Sequence, residues 1–171
     1  MTARDESPAR LPSGRIGLHV KNALLMLASV VASLMMAEAV VRYIDDAMAV
    51  AMTEGLPPQA ARRVVPVLCR MAIEAACAEA IRRRRLARGE QHAQVEDVLT
   101  GLHGTRSWAA LALFDTPDRT ADVLPFIDKY SRDAADTFRL VNEATHEALT
   151  VPPVDVLRAT EKLAAWLRAQ K

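Results

Sequence analysis

The sequence predicts an all-α fold, and three observations support this. Hydrophobic residues make up 51% of the 171 residues but aromatic residues only 4%, so Ala, Leu, Val, Ile and Met must build the core. This composition favours helices over strands. Valine and isoleucine do not alternate with polar residues in short runs bounded by turns, as strands would require. Apolar residues instead recur at helical spacing in long segments that end at glycine or proline.

The chain begins with a polar segment that is expected to stay outside the fold. Residues 1–20 contain Pro8, Pro12 and Gly14 and few large apolar side chains. Such a segment cannot bury enough apolar surface to offset the entropy of ordering it. We therefore predict a disordered N-terminal lead over residues 1–20, followed by a single helical domain over residues 21–171.

The first two long helices are separated by a glycine and two prolines. The first helix is predicted over residues 22–54, and Gly55 ends it. The second begins near Pro58 and runs to Arg85 or Arg88, and Pro66 is expected to kink or restart it. Cations in the last turns of this helix, at residues 82–85, interact favourably with the helix dipole.

Shorter elements precede the third long helix. A short helix is predicted over residues 95–102, and a second over 107–114. The third long helix is expected over residues 126–149, and the fourth over 153–169. The prediction is therefore a four-helix bundle with a short helical insertion between the second and third long helices.

Charge and motif content exclude several classes of function. The net charge of +1 is not that of a protein that coats nucleic acid through bulk charge, so any RNA contact must be local. The sequence has no P-loop, dinucleotide-binding or GxSxG motif. Cys69 and Cys77 lie roughly 12 Å apart along one predicted helix, too far for a disulfide. With no CxxC or Cys/His ligand spacing, we predict two thiols in a reducing cytoplasm, with no metal and no cofactor.

One uncharged segment leaves a second localisation open. Residues 23–37 carry no charge and resemble part of a signal peptide or a short membrane span. Fifteen residues fall short of the roughly 20 that cross a bilayer, and the helical pattern continues beyond them. We predict a cytoplasmic protein, with a membrane-associated one that uses residues 23–41 as the alternative.

The candidate catalytic residues lie in the third long helix. Arg139 and His146 are seven residues apart, so on a helix they lie within about 20° of each other, with Asn142 on the same side. This stripe lies more than about 100° from the apolar stripe that contains Phe138 and Val141. A cation, an amide and an imidazole on one stripe are suited to holding and cleaving a phosphodiester.

Two further readings of these residues stay open. The polar stripe is alternatively a solvated face on which Arg139 pairs with Glu143 or Asp136. In the second helix, Glu74 lies among apolar residues and requires a partner, for which Arg70, one turn earlier, is the obvious choice. The alternative is that Glu74 reaches the catalytic cleft and tunes the histidine.

A second arginine and histidine share the same spacing but not the same setting. Arg85 and His92 lie on either side of Gly89, where the second helix is predicted to end. Their relative geometry is therefore not fixed by a helix. We interpret Arg85 as a cation that compensates the helix dipole, and His92 as a loop residue.

Three stretches resemble the HEPN superfamily of all-α domains. Residues 67–74 resemble the second helix of one HEPN branch, in which an arginine and a glutamate lie in an apolar helix. Residues 138–146 resemble the motif of that family, an arginine followed after four to six residues by a histidine, and Asn142 matches a frequent asparagine. The helix after Pro153 resembles the fourth helix. Residues 70–90 also resemble helical regions at the C-terminal ends of bacterial defence-type ATPases.

The resemblance implies a metal-independent endoribonuclease that acts as a homodimer, with the motifs of both copies in one cleft. His146 would then handle the proton of the attacking 2′-hydroxyl or of the leaving oxygen, Arg139 would stabilise charge on the phosphate, and Asn142 would orient the phosphate or the imidazole. Supporting roles are expected for Arg70, Glu74 and Glu143.

The same resemblance implies a biological setting and an alternative. The expected setting is a toxin or effector of a bacterial antiviral defence or toxin–antitoxin system, with RNA as substrate and an ATPase or antitoxin as partner protein. Other HEPN domains are inactive, so the alternative is a non-catalytic helical docking module that binds a partner such as an ATPase.

Overall fold

The computed structural model describes residues 38–144 and 150–170, which are mostly helical. No strand occurs in these two ranges, so the all-α prediction is confirmed for them. The predicted lead over residues 1–20 and the uncharged segment 23–37 lie outside the described residues. Within the described ranges, no helix is both long and apolar enough to cross a membrane.

The first described helix ends close to the predicted position. Residues 38–52 are helical and belong to α1. The hydroxyl of Thr53 donates to the carbonyl oxygen of Ala49 at 2.6 Å and satisfies one carbonyl of the last turn. Gly55 follows with φ of +79°, a left-handed conformation that glycine adopts without steric cost.

Helix α2 spans Pro58–Ala87 and is the longest described helix. Pro58 occupies its first turn, where the fixed φ of proline suits the helix and its missing N–H is not needed. The helix continues through Pro66, so of the two predicted outcomes there, a kink or a restart, the restart does not occur. Gly89, with φ of +87°, follows its C-terminus as predicted.

The middle of α2 is the centre of the domain. Every residue from Ala75 to Ile81 is buried, which means that this stretch of the helix is covered on all sides. Most of these side chains are alanine, and small side chains allow neighbouring helices to approach closely. Helices α7 (Pro153–Ala169) and α4 (Thr105–Phe114) make its most extensive contacts.

The elements between α2 and the third predicted helix are short. Helix α3 spans His92–Thr100, α4 follows, and a 3₁₀ turn covers Thr120–Asp122. The predicted insertion of short helices is therefore present in the described chain. His92 is the first residue of α3 and not a loop residue, because Gln91 and Gln94 form a capping box that starts the helix there.

The third long helix, predicted over residues 126–149, is two helices in the described chain. Helix α5 spans Val123–Tyr130, and α6 spans Arg132–Glu143. Ser131 separates them with an extended backbone, φ −161° and ψ 113°, and its hydroxyl accepts from the backbone N–H of Ala134 at 3.2 Å. The serine is a favourable N-cap, and its hydroxyl takes the N–H of Ala134 that an unbroken helix would pair with the carbonyl oxygen of Tyr130.

The last helix follows the prediction. Helix α7 begins at Pro153, in its first turn, and ends at Ala169. One apolar stripe of this helix is buried in full, with Val156, Leu157, Leu163, Ala164 and Leu167 at most 1% exposed. This stripe packs against α2, and α6 packs alongside α7.

Candidate functional site

The predicted site begins on the outward face of α6. Phe138 and Val141 are 1% and 0% exposed, whereas the side chain of Arg139 is 49% exposed. Nη1 of Arg139 donates to Oδ1 of Asp136 at 2.9 Å, one turn earlier on the same helix. The predicted separation of Arg139 from the core is therefore confirmed. Of the two carboxylates considered as partners, Asp136 forms the pair.

The remaining residues of the motif are described only in part. Asn142 lies on α6, partly buried, and Glu143 is the exposed last residue of the helix. His146 belongs to residues 145–149, which lie outside the described residues. The structure therefore places Arg139 and Asn142 on one helix and gives no geometry for the histidine.

Arg70 and Glu74 form a different cluster, on α2. Oε1 of Glu74 accepts from Nε of Arg70 at 2.8 Å and from the hydroxyl of Thr105, also at 2.8 Å. Thr105 is buried and is the first residue of α4. The predicted ion pair is present, and it also ties α2 to the start of α4. No local pattern in the sequence pointed to Thr105, because it lies 31 residues away along the chain.

The two cysteines lie inside the core close to this cluster. Both are free and buried. Burial raises the pKa of the Cys77 thiol, and the charge of Glu74 raises it further. Burial also raises the pKa of Cys69, partly offset by a hydrogen bond with Thr160. Protonated, buried thiols are poor nucleophiles, so neither cysteine is a candidate catalytic group.

The four consecutive arginines of α2 contact different parts of the domain. At 100° per residue, a run of four covers the whole circumference of a helix. Arg82 makes a two-pronged contact with Glu96 of α3, at 2.5 and 2.7 Å. Arg83 donates to the carbonyl oxygens of Arg168 and Gln170 at the end of α7.

The next two arginines of the run point towards α4. Nη2 of Arg84 donates to the carbonyl oxygens of Leu111 and Ala112 in the last turn of α4, and the carbonyl of Leu111 also accepts from the backbone N–H of Asp115. Burial lowers the pKa of Arg84, and the charge of Asp115 opposes that shift. Arg85 pairs with Asp115, which follows the last residue of α4, at 3.6 Å.

Two other carboxylates complete this arginine network, defined here as Arg82–Arg85 with Arg88, Arg168 and their partners. Glu79 is buried and pairs with Nε of Arg168 at 2.7 Å. Arg85 also pairs with Glu90 at 3.1 Å, and Arg88 pairs with Asp115. Burial alone would raise the pKa of Asp115, but the hydrogen bond and charges of the arginines lower it. The run thus holds α2 to its neighbours and leaves few donors for an external phosphate.

A groove lies between α6 and α7, next to the partner of Arg139. It has a volume of about 540 Å³ and runs from Ser131 at the start of α6 to Trp166 near the end of α7. Asp136, the partner of Arg139, is part of its wall. The other wall carries Arg158 and Lys162. These two cations are not among the predicted site residues, although their four-residue spacing places them on one face of α7.

Neither a metal-ligand cluster nor a known relative identifies the site. Within residues 38–144 and 150–170, no three His, Cys, Asp or Glu side chains are placed to hold a metal ion. The chain matches no protein-family model, no curated protein and no solved structure at a significant level.

Proposed function

We propose that the chain is a HEPN-like endoribonuclease that cleaves RNA with Arg139, Asn142 and His146. The observation that carries the proposal is the position of Arg139, half exposed on the outward face of a helix whose opposite face is locked into the core by Phe138. A guanidinium in this position can reach an external phosphate without disturbing the fold. By contrast, Arg82 and Arg85 near the end of α2 are only 16% and 17% exposed and are held by carboxylates.

The ion pair with Asp136 does not prevent this role. Exposed pairs of this kind contribute about 0–1 kcal/mol, because solvent screens them and two side chains must be immobilised. Contacts between arginine and phosphate are charge-assisted and often two-pronged, and they are about twice as strong as neutral hydrogen bonds. A bound phosphodiester therefore competes well with Asp136 for the guanidinium.

In the proposed reaction the 2′-oxygen of the ribose attacks the adjacent phosphorus and the bond from phosphorus to the 5′-oxygen breaks. The products are a 2′,3′-cyclic phosphate and a 5′-hydroxyl. A histidine takes the proton of the 2′-hydroxyl and an imidazolium gives one to the leaving oxygen. The two copies of a homodimer supply the two imidazoles. Arg139 stabilises the charge that develops on the phosphate, and Asn142 orients it.

The test is RNA cleavage by the purified protein, with no metal added. Arg139→Ala and His146→Ala are each expected to lower the rate at least about a hundredfold, the usual contribution of such groups. The matched control is Arg119→Ala. Arg119 pairs with Asp122 three residues away at 2.7 Å and is 53% exposed, so it matches Arg139 in ion pair and exposure, and its guanidinium additionally lies over the ring of Phe114 at 4.2 Å. Equal cleavage by all four proteins would refute the proposal.

The docking alternative rests on a different surface. Val64, Val67 and Met71 are 42%, 44% and 37% exposed, and their spacing places them on one stripe of α2. An exposed apolar stripe of this kind suits a partner protein. We expect the products of neighbouring genes to co-purify with the chain, and Val67→Asp to abolish this while RNA cleavage stays absent. Co-purification unchanged by Val67→Asp would exclude this stripe as the docking surface.

A further inference from the structure

The groove between α6 and α7 has two walls of opposite charge. Asp133 and Asp136 lie on the α6 side, and Arg158 and Lys162 lie on the α7 side. Asp155, near the start of α7, adds a third carboxylate. Within the described residues no ion pair joins the walls, and neither Arg158 nor Lys162 pairs with a carboxylate. Two exposed cations without a carboxylate partner are available to an external anion.

The α7 wall places these cations in line with an aromatic ring. Arg158, Lys162 and Trp166 follow one another at intervals of four residues, so each lies about 6 Å further along the helix and about 40° around it. Trp166 lines the groove and is held by Phe126 and Tyr130, with ring centroids at 6.5 and 6.2 Å. Cations that follow a backbone, next to an aromatic side chain on which a base stacks, are the usual elements of a single-strand site.

The α6 wall fits the same ligand. Carboxylates repel phosphates, so Asp133 and Asp136 keep the backbone of a bound strand on the α7 side of the groove. They accept hydrogen bonds, and the ribose of RNA offers a donor, the 2′-hydroxyl, that DNA lacks. Because its two walls carry opposite charges, the groove orients the backbone of a bound strand and favours RNA over DNA.

We propose that this groove binds single-stranded RNA, with phosphates on Arg158 and Lys162, a base stacked on Trp166 and 2′-hydroxyls facing Asp133 and Asp136. The inference deepens the proposed ribonuclease function and rests on it, since Asp136 links the groove to Arg139 at 2.9 Å. The groove would hold the nucleotides next to the bond that is cut.

The experiment measures binding separately from cleavage. The His146→Ala protein is titrated into a short fluorescein-labelled RNA, and into DNA of the same sequence, at several salt concentrations. The double variant Arg158→Ala/Lys162→Ala is compared with Arg62→Ala/Arg63→Ala, which removes the same charge from exposed positions of α2 outside the groove. Trp166→Ala is compared with Trp166→Phe, which keeps a ring for stacking.

The expected result is specific to the groove. Arg158→Ala/Lys162→Ala should raise the Kd for RNA at least about tenfold, since each lost contact is a charge-assisted hydrogen bond. It should also reduce the slope of log K against log salt by about 1.4, the value for two lost phosphate contacts to a single strand. The Arg62/Arg63 variant should bind like the parent. Trp166→Ala should weaken binding about tenfold, Trp166→Phe should not, and RNA should bind more tightly than DNA.

Two results would overturn the inference. Equal weakening by the two double variants would mean that bulk charge, not the groove, attracts RNA. Equal affinity for RNA and DNA would remove the role of the acidic wall. Failure of the proposed nuclease is recognised separately: groove variants that weaken binding while the His146→Ala substitution leaves cleavage unchanged would refute the catalytic assignment and leave the groove intact.

Discussion

The arginine network at the end of α2 and the groove between α6 and α7 use the same residue type in opposite ways. At the end of α2, Arg82 and Arg84 are held by a carboxylate and by helix-end carbonyls, and each joins α2 to another element. In the groove, Arg158 and Lys162 face two aspartates across an open space and pair with neither. The consecutive arginines are distributed around α2 and bind neighbouring elements of the fold, whereas Arg158 and Lys162 share one face of α7 that lines an open groove and are available to a ligand.

The largest expected effect compares two arginines of α7, one from each region. Arg168→Ala leaves Glu79 buried without its cation, and we expect the free energy of unfolding to fall by about 3 kcal/mol. Arg158→Ala removes an exposed side chain that has no carboxylate partner in the described chain. It should change stability by no more than about 0.5 kcal/mol. Urea unfolding at neutral pH measures both values.

A matched rescue separates the ion pair from packing. The double variant Arg168→Met/Glu79→Leu removes both charges and keeps apolar volume, so it should recover much of the lost stability. If Arg168→Ala and Arg158→Ala lowered the free energy of unfolding equally, the arginine network would stabilise the fold no more than the groove cations do.

The second prediction concerns how the stability contributed by the Arg82–Glu96 pair of the arginine network depends on pH. The hydrogen bond from Arg82 lowers the pKa of Glu96 below its ordinary value of 4.5, with further lowering by the charges of Arg82 and His92 and opposition from burial. The pKa of Glu96 is lower in the folded than in the unfolded state. The Arg82–Glu96 pair therefore contributes its full stabilisation at pH values above the unfolded-state pKa. The contribution is lost as the pH falls below about 4.5 and through the folded-state value.

The variant Glu96→Gln tests this window. It should be less stable than wild type by about 1 kcal/mol at pH 7, and the difference should shrink as the pH falls below 4.5. The control is Glu161→Gln on α7, an exposed carboxylate without an ion pair in the described chain, for which about 0.5 kcal/mol or less is expected. A difference for Glu96→Gln that stays constant from pH 7 to pH 3 would contradict the assignment.

The comparison also shows which features the sequence could predict. Periodicity and breakers located α2 and α7 to within a few residues, because Gly89 and Pro153 are local signals. The break at Ser131 was missed because apolar residues continue at helical spacing on both sides of it. The extended backbone of Ser131 and the bond from its hydroxyl to the N–H of Ala134 show that a new helix starts there.

The site was predictable to a smaller extent. The outward position of Arg139 follows from angular arithmetic on one helix, which depends only on local sequence. The bond from Thr105 to Glu74 and the facing of α6 with α7 depend on which helices pack together, and periodicity carries no information about that. Arg158 and Lys162 were not predicted for the same reason. Two cations four residues apart are common on a surface helix, and they indicate a binding site only once the helix that faces them is known.

The smallest expected effect concerns the arginine at the edge of the groove. Arg139→Ala should change the free energy of unfolding by no more than about 0.5 kcal/mol, since the lost pair with Asp136 is exposed on both sides. Arg119→Ala removes a pair of the same spacing and also the contact of its guanidinium with the ring of Phe114, so it should cost more than Arg139→Ala by about 0.5–1 kcal/mol. For Arg139→Ala, a loss of about 2 kcal/mol or more in the free energy of unfolding, roughly that of a buried interaction, would mean that Arg139 stabilises the fold as the arginine network does. A near-zero value leaves binding or catalysis as the reason for any loss of RNA cleavage, because the variant then remains folded under assay conditions.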